Sequence, residues 1–193
     1  MMRIGPFQFS FNPNPIASQR FVLPVSVVVV FNNDTMDSLR PMRNATTEIK
    51  AFYDAIGIEL KPQVYGHQAL EDMFTFDQTQ EKNIIHEHFW KVHVPTPALY
   101  IARVSPTVSG GNLGDAARGT GIAMVAGGAV DAATNKDLVH GIMIHELGHL
   151  LGLSHQEGTF MRTRLEIDNN FVTPEQQQTM RDTAATYGIV DFD

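Results

Sequence analysis

Between Leu138 and Leu153 the chain is apolar on nearly every side of a helix of that length, yet the stretch carries His145, Glu146 and His149. A helix that is apolar all round belongs inside a protein. A carboxylate taken inside with it is costly unless a partner compensates it. The chain must therefore build a fold that buries one central helix and gives its polar groups a common partner.

The spacing points to that partner. His145 and His149 are four residues apart, so they share one helix face and can meet one ion. Gly152 follows three residues later, and glycine readily adopts the left-handed backbone that ends a helix and turns the chain back. That return brings His155 toward the same ion. Three neutral imidazoles with a fourth position open describe a catalytic zinc site, with ring nitrogens roughly 2.0–2.1 Å from the metal. Glu146, next to His145, projects beside the ligands and is placed to act as general base on a water in the open position. Two histidines on a helix can also be ordinary, partly buried residues. Five specified residues at fixed offsets, however, arise by chance in on the order of one such chain in 10,000.

Composition narrows the surroundings. With 193 residues, 43% of them apolar, the chain is expected to form one compact unit over 1–193. Its net charge is -7 and it has no basic cluster, which argues against nucleic acid as a partner. The absence of cysteine excludes disulfides, a thiol nucleophile, a thiolate zinc site and a cysteine-based latency switch. The longest apolar run, Phe21 to Phe31, is too short to span a bilayer and contains Pro24. No small-residue cleavage pattern follows it, so Val25 to Val30 reads as a buried strand rather than a signal-peptide core.

Along the chain, Phe7, Phe9 and Phe11 alternate in an extended arm covering residues 1–20. The Phe21–Phe31 strand is followed by a helix expected over about Asp37 to Ile56, closed by Gly57. Strands are expected at Ile58 to Tyr65, Ala98 to Val104 and Gly121 to Val125, with a partly helical stretch between Gln68 and His93. Residues 105–121, with Ser109-Gly110-Gly111, read as a long surface loop. The central helix is expected over Asn135 to Leu153. Thr173-Pro174-Glu175-Gln176 opens a last helix reaching about Tyr187, with Thr173 as N-cap and Gln176 completing a capping box. The class is α+β with an α/β-type upper half.

The motif at 145, 146, 149, 152 and 155 resembles the extended zinc-binding motif of the metzincin clan of metallopeptidases. The resemblance implies a twisted mixed sheet with two long helices, an active-site helix, a Met-turn and a C-terminal helix. It divides the chain into an upper part, 21–153, and a lower part, 154–193. Met161, in Gly158-Thr159-Phe160-Met161, matches the methionine that supports the metal from a tight turn. An edge strand lining the cleft would be Gly121, Ile122, Ala123 and Met124, binding an extended peptide by strand addition. The implied activity is zinc-dependent endopeptidase cleavage of peptide or protein substrates by a monomer without a membrane span. The resemblance also favours a secreted protein. In outline the chain looks most like a small matrixin-like catalytic domain, but Gln156 stands where the best-known subfamilies have Ser, Glu, Asp or Pro, and Thr163 where some have tyrosine.

Other signals are weaker. His86, His88 and His93 do not share a helix face, and His140 lies off the ligand face; ordinary, partly exposed positions are expected for them. Asp115 and the glycine-rich loop could bind a structural calcium, yet regular acidic spacing is lacking and calcium is not predicted. Arg162 and Arg164 are expected on the solvated surface. Two competing readings are a catalytically silent zinc-binding interaction protein whose cleft is blocked by the phenylalanine-rich arm, and a thermolysin-like site whose third ligand is Glu166 or Glu175.

Overall fold

The computed structural model describes residues 1–11, 20–31, 39–68, 94–102, 113–117, 121–126, 130–131, 133–187 and 189–190. In chain order the elements are β1 (Met2–Ile4), β2 (Phe7–Phe11), β3 (Phe21–Phe31), α1 (Leu39–Asp54), β4 (Ile58–Gln68), β5 (Ala98–Ala102) and β6 (Gly114–Ala117). They continue with β7 (Ile122–Ala126), β8 (Val130–Asp131), β9 (Lys136–Asp137), α2 (Val139–Leu150), β10 (Asn170–Val172), α3 (Pro174–Tyr187) and β11 (Ile189–Val190). The class is α+β, as expected. The helical stretch expected between 68 and 93 and its three histidines lie outside the described residues.

The main sheet is built on β3. Its continuous valine run suits a strand covered on both faces, and residues 23 and 25–29 are buried. On one side β4 runs parallel to it along its full length, from Phe21 opposite Ile58 to Phe31 opposite Gln68. The other side is shared by β5, parallel at Ser26–Val30, and β11, antiparallel at Phe21–Val22. The strand beyond β5 is β7, also parallel, and β6 pairs with β7 antiparallel to finish the order.

This order corrects the expected edge. The strand containing Ile122, Ala123 and Met124 is paired on both sides, with β5 and with β6, while Gly121 is a turn residue at φ +73°. Among the described residues the outer strand is Gly114–Ala117, inside the stretch that reads from its glycines as loop. Alternation in so short and small-residued a strand leaves almost no hydrophobic period to detect.

The N-terminal arm is also more than an extended segment. β1 and β2 form a hairpin, and β2 pairs in parallel with β10, Phe9 opposite Asn170. Phe7 and Phe9 are fully buried. Phe9 and Phe11 stand 5.0 and 5.4 Å from Phe52 of α1, which in turn lies 5.3 Å from Phe160. One aromatic cluster thus joins the hairpin, α1 and the segment after His155.

Helix α2 is buried at every position from Val139 to Leu150. It begins four residues later than expected because Lys136 and Asp137 pair with β8. Asp137 then accepts a hydrogen bond from the Val139 amide, 3.0 Å, at the helix start. Close packing around α2 uses glycine: a Cβ on Gly141 would lie 2.5 Å from the Phe7 ring, and one on Gly148 would lie 2.7 Å from the Met161 sulfur. Tyr53 of α1 donates to the Ile144 carbonyl at 2.9 Å, fixing α1 beside the histidines. No helix among the described residues is long and apolar enough to cross a membrane.

Candidate metal centre

The structure brings His145, His149 and His155 together, each offering one ring nitrogen, all within 4.8 Å of one another. The first two come from α2. The third arrives because the helix ends as the glycine foresees: Gly152 has φ +90°, its amide donates to the His149 carbonyl, and the Leu153 amide donates to the Gly148 carbonyl. This pair of bonds is the Schellman closure, and it sends the chain back along the helix face. His149 and His155 Nε2 atoms stand 3.1 Å apart. Two ligands at tetrahedral angles on one zinc would be separated by about 3.3 Å.

The tautomers suit metal binding. His145 Nδ1 faces the Phe160 carbonyl at 3.1 Å, and His149 Nδ1 faces the Leu153 carbonyl at 2.8 Å. A carbonyl oxygen only accepts, so each Nδ1 carries the proton and each Nε2 keeps its lone pair toward the cluster. Burial pushes the His145 pKa down to about 4, against a smaller upward pull from the Phe160 carbonyl. The imidazole is therefore neutral over the physiological range. Three imidazole nitrogens are a donor set that zinc accepts.

Glu146 is 5% exposed, and its Oε2 has no hydrogen-bond partner. Burial, with the Asp115 charge adding, raises its pKa to about 8. A buried acid raised in this way is protonated near neutral pH in the metal-free protein.

Met161 is fully buried with its sulfur against Gly148, the residue before His149. Its turn is closed by the Gln156 amide donating to the Met161 carbonyl, 2.8 Å, and by Thr159 Oγ1, which donates to the Gln156 carbonyl and accepts from the Met161 amide. Gln176 of α3 donates to Thr159 Oγ1 at 3.0 Å and to Gln156 Oε1 at 3.1 Å. Gln156, the departure from the metzincin subfamilies, is thus a bridge between the turn and the last helix. Thr163 donates through its amide and its hydroxyl to Glu157.

Several expectations need correction. Arg162 is buried, not solvated: it donates to the Thr159 and Asn169 carbonyls and pairs with Glu166. That ion pair takes the Glu166 carboxylate, and Glu175 is exposed in the first turn of α3; neither joins the cluster, which removes the thermolysin-like reading. His140 is buried, with Nε2 3.4 Å from Glu48. The residue that sequence reasoning missed is Gly114, because its neighbourhood looks like loop.

No family model matches the sequence, and no curated protein matches it. Solved structures do share the architecture. An archaemetzincin from Methanopyrus kandleri superposes with a TM-score of 0.61 at 13% identity, covering 84% of this chain and 96% of that one. A zinc-dependent peptidase from Methanocorpusculum labreanum gives 0.51 at 15% identity, covering 80% and 99%. Metalloproteinase-II from Bacteroides fragilis gives 0.50 at 16% identity, with 92% of this chain on 56% of that longer one.

The chain has a metallopeptidase fold. Within that fold the histidine cluster is formed by the C-terminal half of the buried helix and the segment that follows it, and the strand β6 passes beside Glu146.

Proposed function

We propose that the protein is a metzincin-type zinc endopeptidase with His145, His149 and His155 as ligands and Glu146 as general base. The observation that carries this reading is the convergence of three imidazole nitrogens beside a buried carboxyl whose Oε2 has no protein partner. A zinc ion held there supplies Lewis acidity, lowering the pKa of water toward about 7 and polarising a peptide carbonyl. Glu146 takes the proton from the attacking water and passes it to the leaving amine. The carbonyls of Phe160 and Leu153 hold the imidazoles of His145 and His149 in place.

The sheet end supports peptides as the substrate class. β6 closes the strand order beside Glu146, so an extended peptide laid against it would place a scissile bond near the cluster. Assignment to the matrixins would rest on outline alone, and Gln156 and Thr163 depart from it. The phenylalanine-rich arm offers no support for a blocked cleft, since Phe7 and Phe9 are engaged in the core.

The test uses zinc-loaded protein and an unfolded protein substrate. Wild type is expected to cleave it, to stop with a chelator and to resume with zinc, while Glu146→Ala binds zinc equally and loses at least about 10³-fold in rate. Cleavage by Glu146→Ala at the wild-type rate would falsify the assignment of the base, and zinc binding without any cleavage would favour the silent reading.

A further inference from the structure

Gly114 sits on β6, and a Cβ built on it would lie 2.2 Å from Glu146 Oε1 and 2.7 Å from both Cδ and Cγ. Real Cβ atoms essentially never come this close to another heavy atom, so the carboxylate occupies the space that any side chain at 114 would need. The backbone does not demand glycine here, because no left-handed φ is found at 114, unlike Gly121 or Gly152. Gly114 pairs with Val125 in ordinary antiparallel register. A glycine in mid-strand weakens the strand, and it commonly marks a close approach by something else. At 114 that something is Glu146.

We infer that Gly114 is a positioning residue: its missing side chain forms the recess that holds the Glu146 carboxyl between α2 and the outer strand. The alternatives for Glu146 are limited by its burial on α2, a helix enclosed at every position. With the recess filled, the side chain must rotate away from β6 or push the strand outward. Either movement displaces the carboxyl from its present place between α2 and β6. This inference rests on the proposed role of Glu146 for its effect on rate, but the steric contact itself can be tested without any activity.

The experiment is a double-mutant cycle between Gly114→Ala and Glu146→Ala, read first as thermal unfolding of the metal-free proteins. In the wild-type background Gly114→Ala is expected to lower Tm by about 3–10 °C, the range for overpacking in a chain of this size. In the Glu146→Ala background the colliding atoms are gone, so the same substitution should leave Tm unchanged or raise it, alanine being the better strand residue. Equal losses in both backgrounds, or no loss in either, would overturn the contact. Should Gly114→Ala fail to fold, folding of the double variant supports the inference, and failure of both overturns it.

Rate supplies the second readout. Zinc-loaded Gly114→Ala should keep wild-type zinc stoichiometry and a KM within about twofold, while kcat falls on the order of 10- to 100-fold. In the Glu146→Asp background, where the carboxyl is one methylene shorter, adding Gly114→Ala should cost less than about twofold. An undiminished kcat in Gly114→Ala overturns the positioning role. If no variant and no wild type cleaves, yet the Tm cycle is non-additive, the contact stands and it is the proposed function that has failed.

Discussion

At the scale of single residues, Glu146 and His145 are held in opposite protonation habits by the same burial. Glu146 is raised from 4.5 to about 8, so between those values the folded, metal-free protein holds a proton that the unfolded chain has released. Its contribution to stability therefore falls as pH rises through that window. His145 is lowered from 6.5 to about 4, so below pH 6.5 the unfolded chain binds the extra proton, and stability falls as pH drops toward 4. Glu146→Gln removes the upper limb only. Metal-free Glu146→Gln should gain on wild type by on the order of a few kcal/mol near pH 8, and the two should converge below about pH 5. Parallel denaturation curves for the two proteins from pH 5 to 8 would count against this account of the buried carboxyl. For the third ligand, His155→Ala should cost zinc affinity while leaving Tm of the metal-free protein nearly unchanged, because His155 is exposed whereas the other two are buried. Titration with a chelating dye measures the first, and a thermal melt the second.

At the scale of elements, α3 shows how a local signal acquires a distant duty. Gln176 completes the capping box, accepting from the Thr173 amide at 3.1 Å while its own amide donates to Thr173 Oγ1 at 3.2 Å. The same side chain reaches Gln156 and Thr159 in the Met161 turn. Gln176→Ala should cost about 1–3 kcal/mol in urea unfolding, more than a cap alone, because buried partners lose their bonds too. A loss below about 0.5 kcal/mol would mean that the bridge to the turn is idle. The capping box, the strand Phe21–Phe31 and the helix bearing the histidines were legible because each rests on a short-range rule: reciprocal caps, a β-branched run, a 3.6-residue period. The outer strand was not, since Gly114–Ala117 owes its pairing to β7 and to nothing in its own composition. Arg162 misled for the same reason, as its burial comes from the Thr159 and Asn169 carbonyls, which carry no sequence signature.

At the scale of the whole molecule, the histidines proposed as metal ligands depend on contacts far from them in the chain. His145 is oriented by the Phe160 carbonyl, Phe160 packs on Phe52, and Phe52 packs on Phe9. Phe9→Ala should therefore destabilise the protein by about 3–5 kcal/mol. It should also weaken zinc binding, although residue 9 is distant in sequence from every ligand; unchanged zinc affinity in a folded Phe9→Ala protein would show that the aromatic cluster and the site are independent. The histidine motif could be read from spacing, whereas this dependence could not, because it runs through tertiary packing.

The parallel pairing of β2 with β10 also joins segments far apart in sequence. Phe7–Phe11 lies about 160 residues from its partner Asn170–Val172, and β11 likewise returns to Phe21–Val22. Contacts so distant in sequence raise the contact order of the fold and so slow its folding.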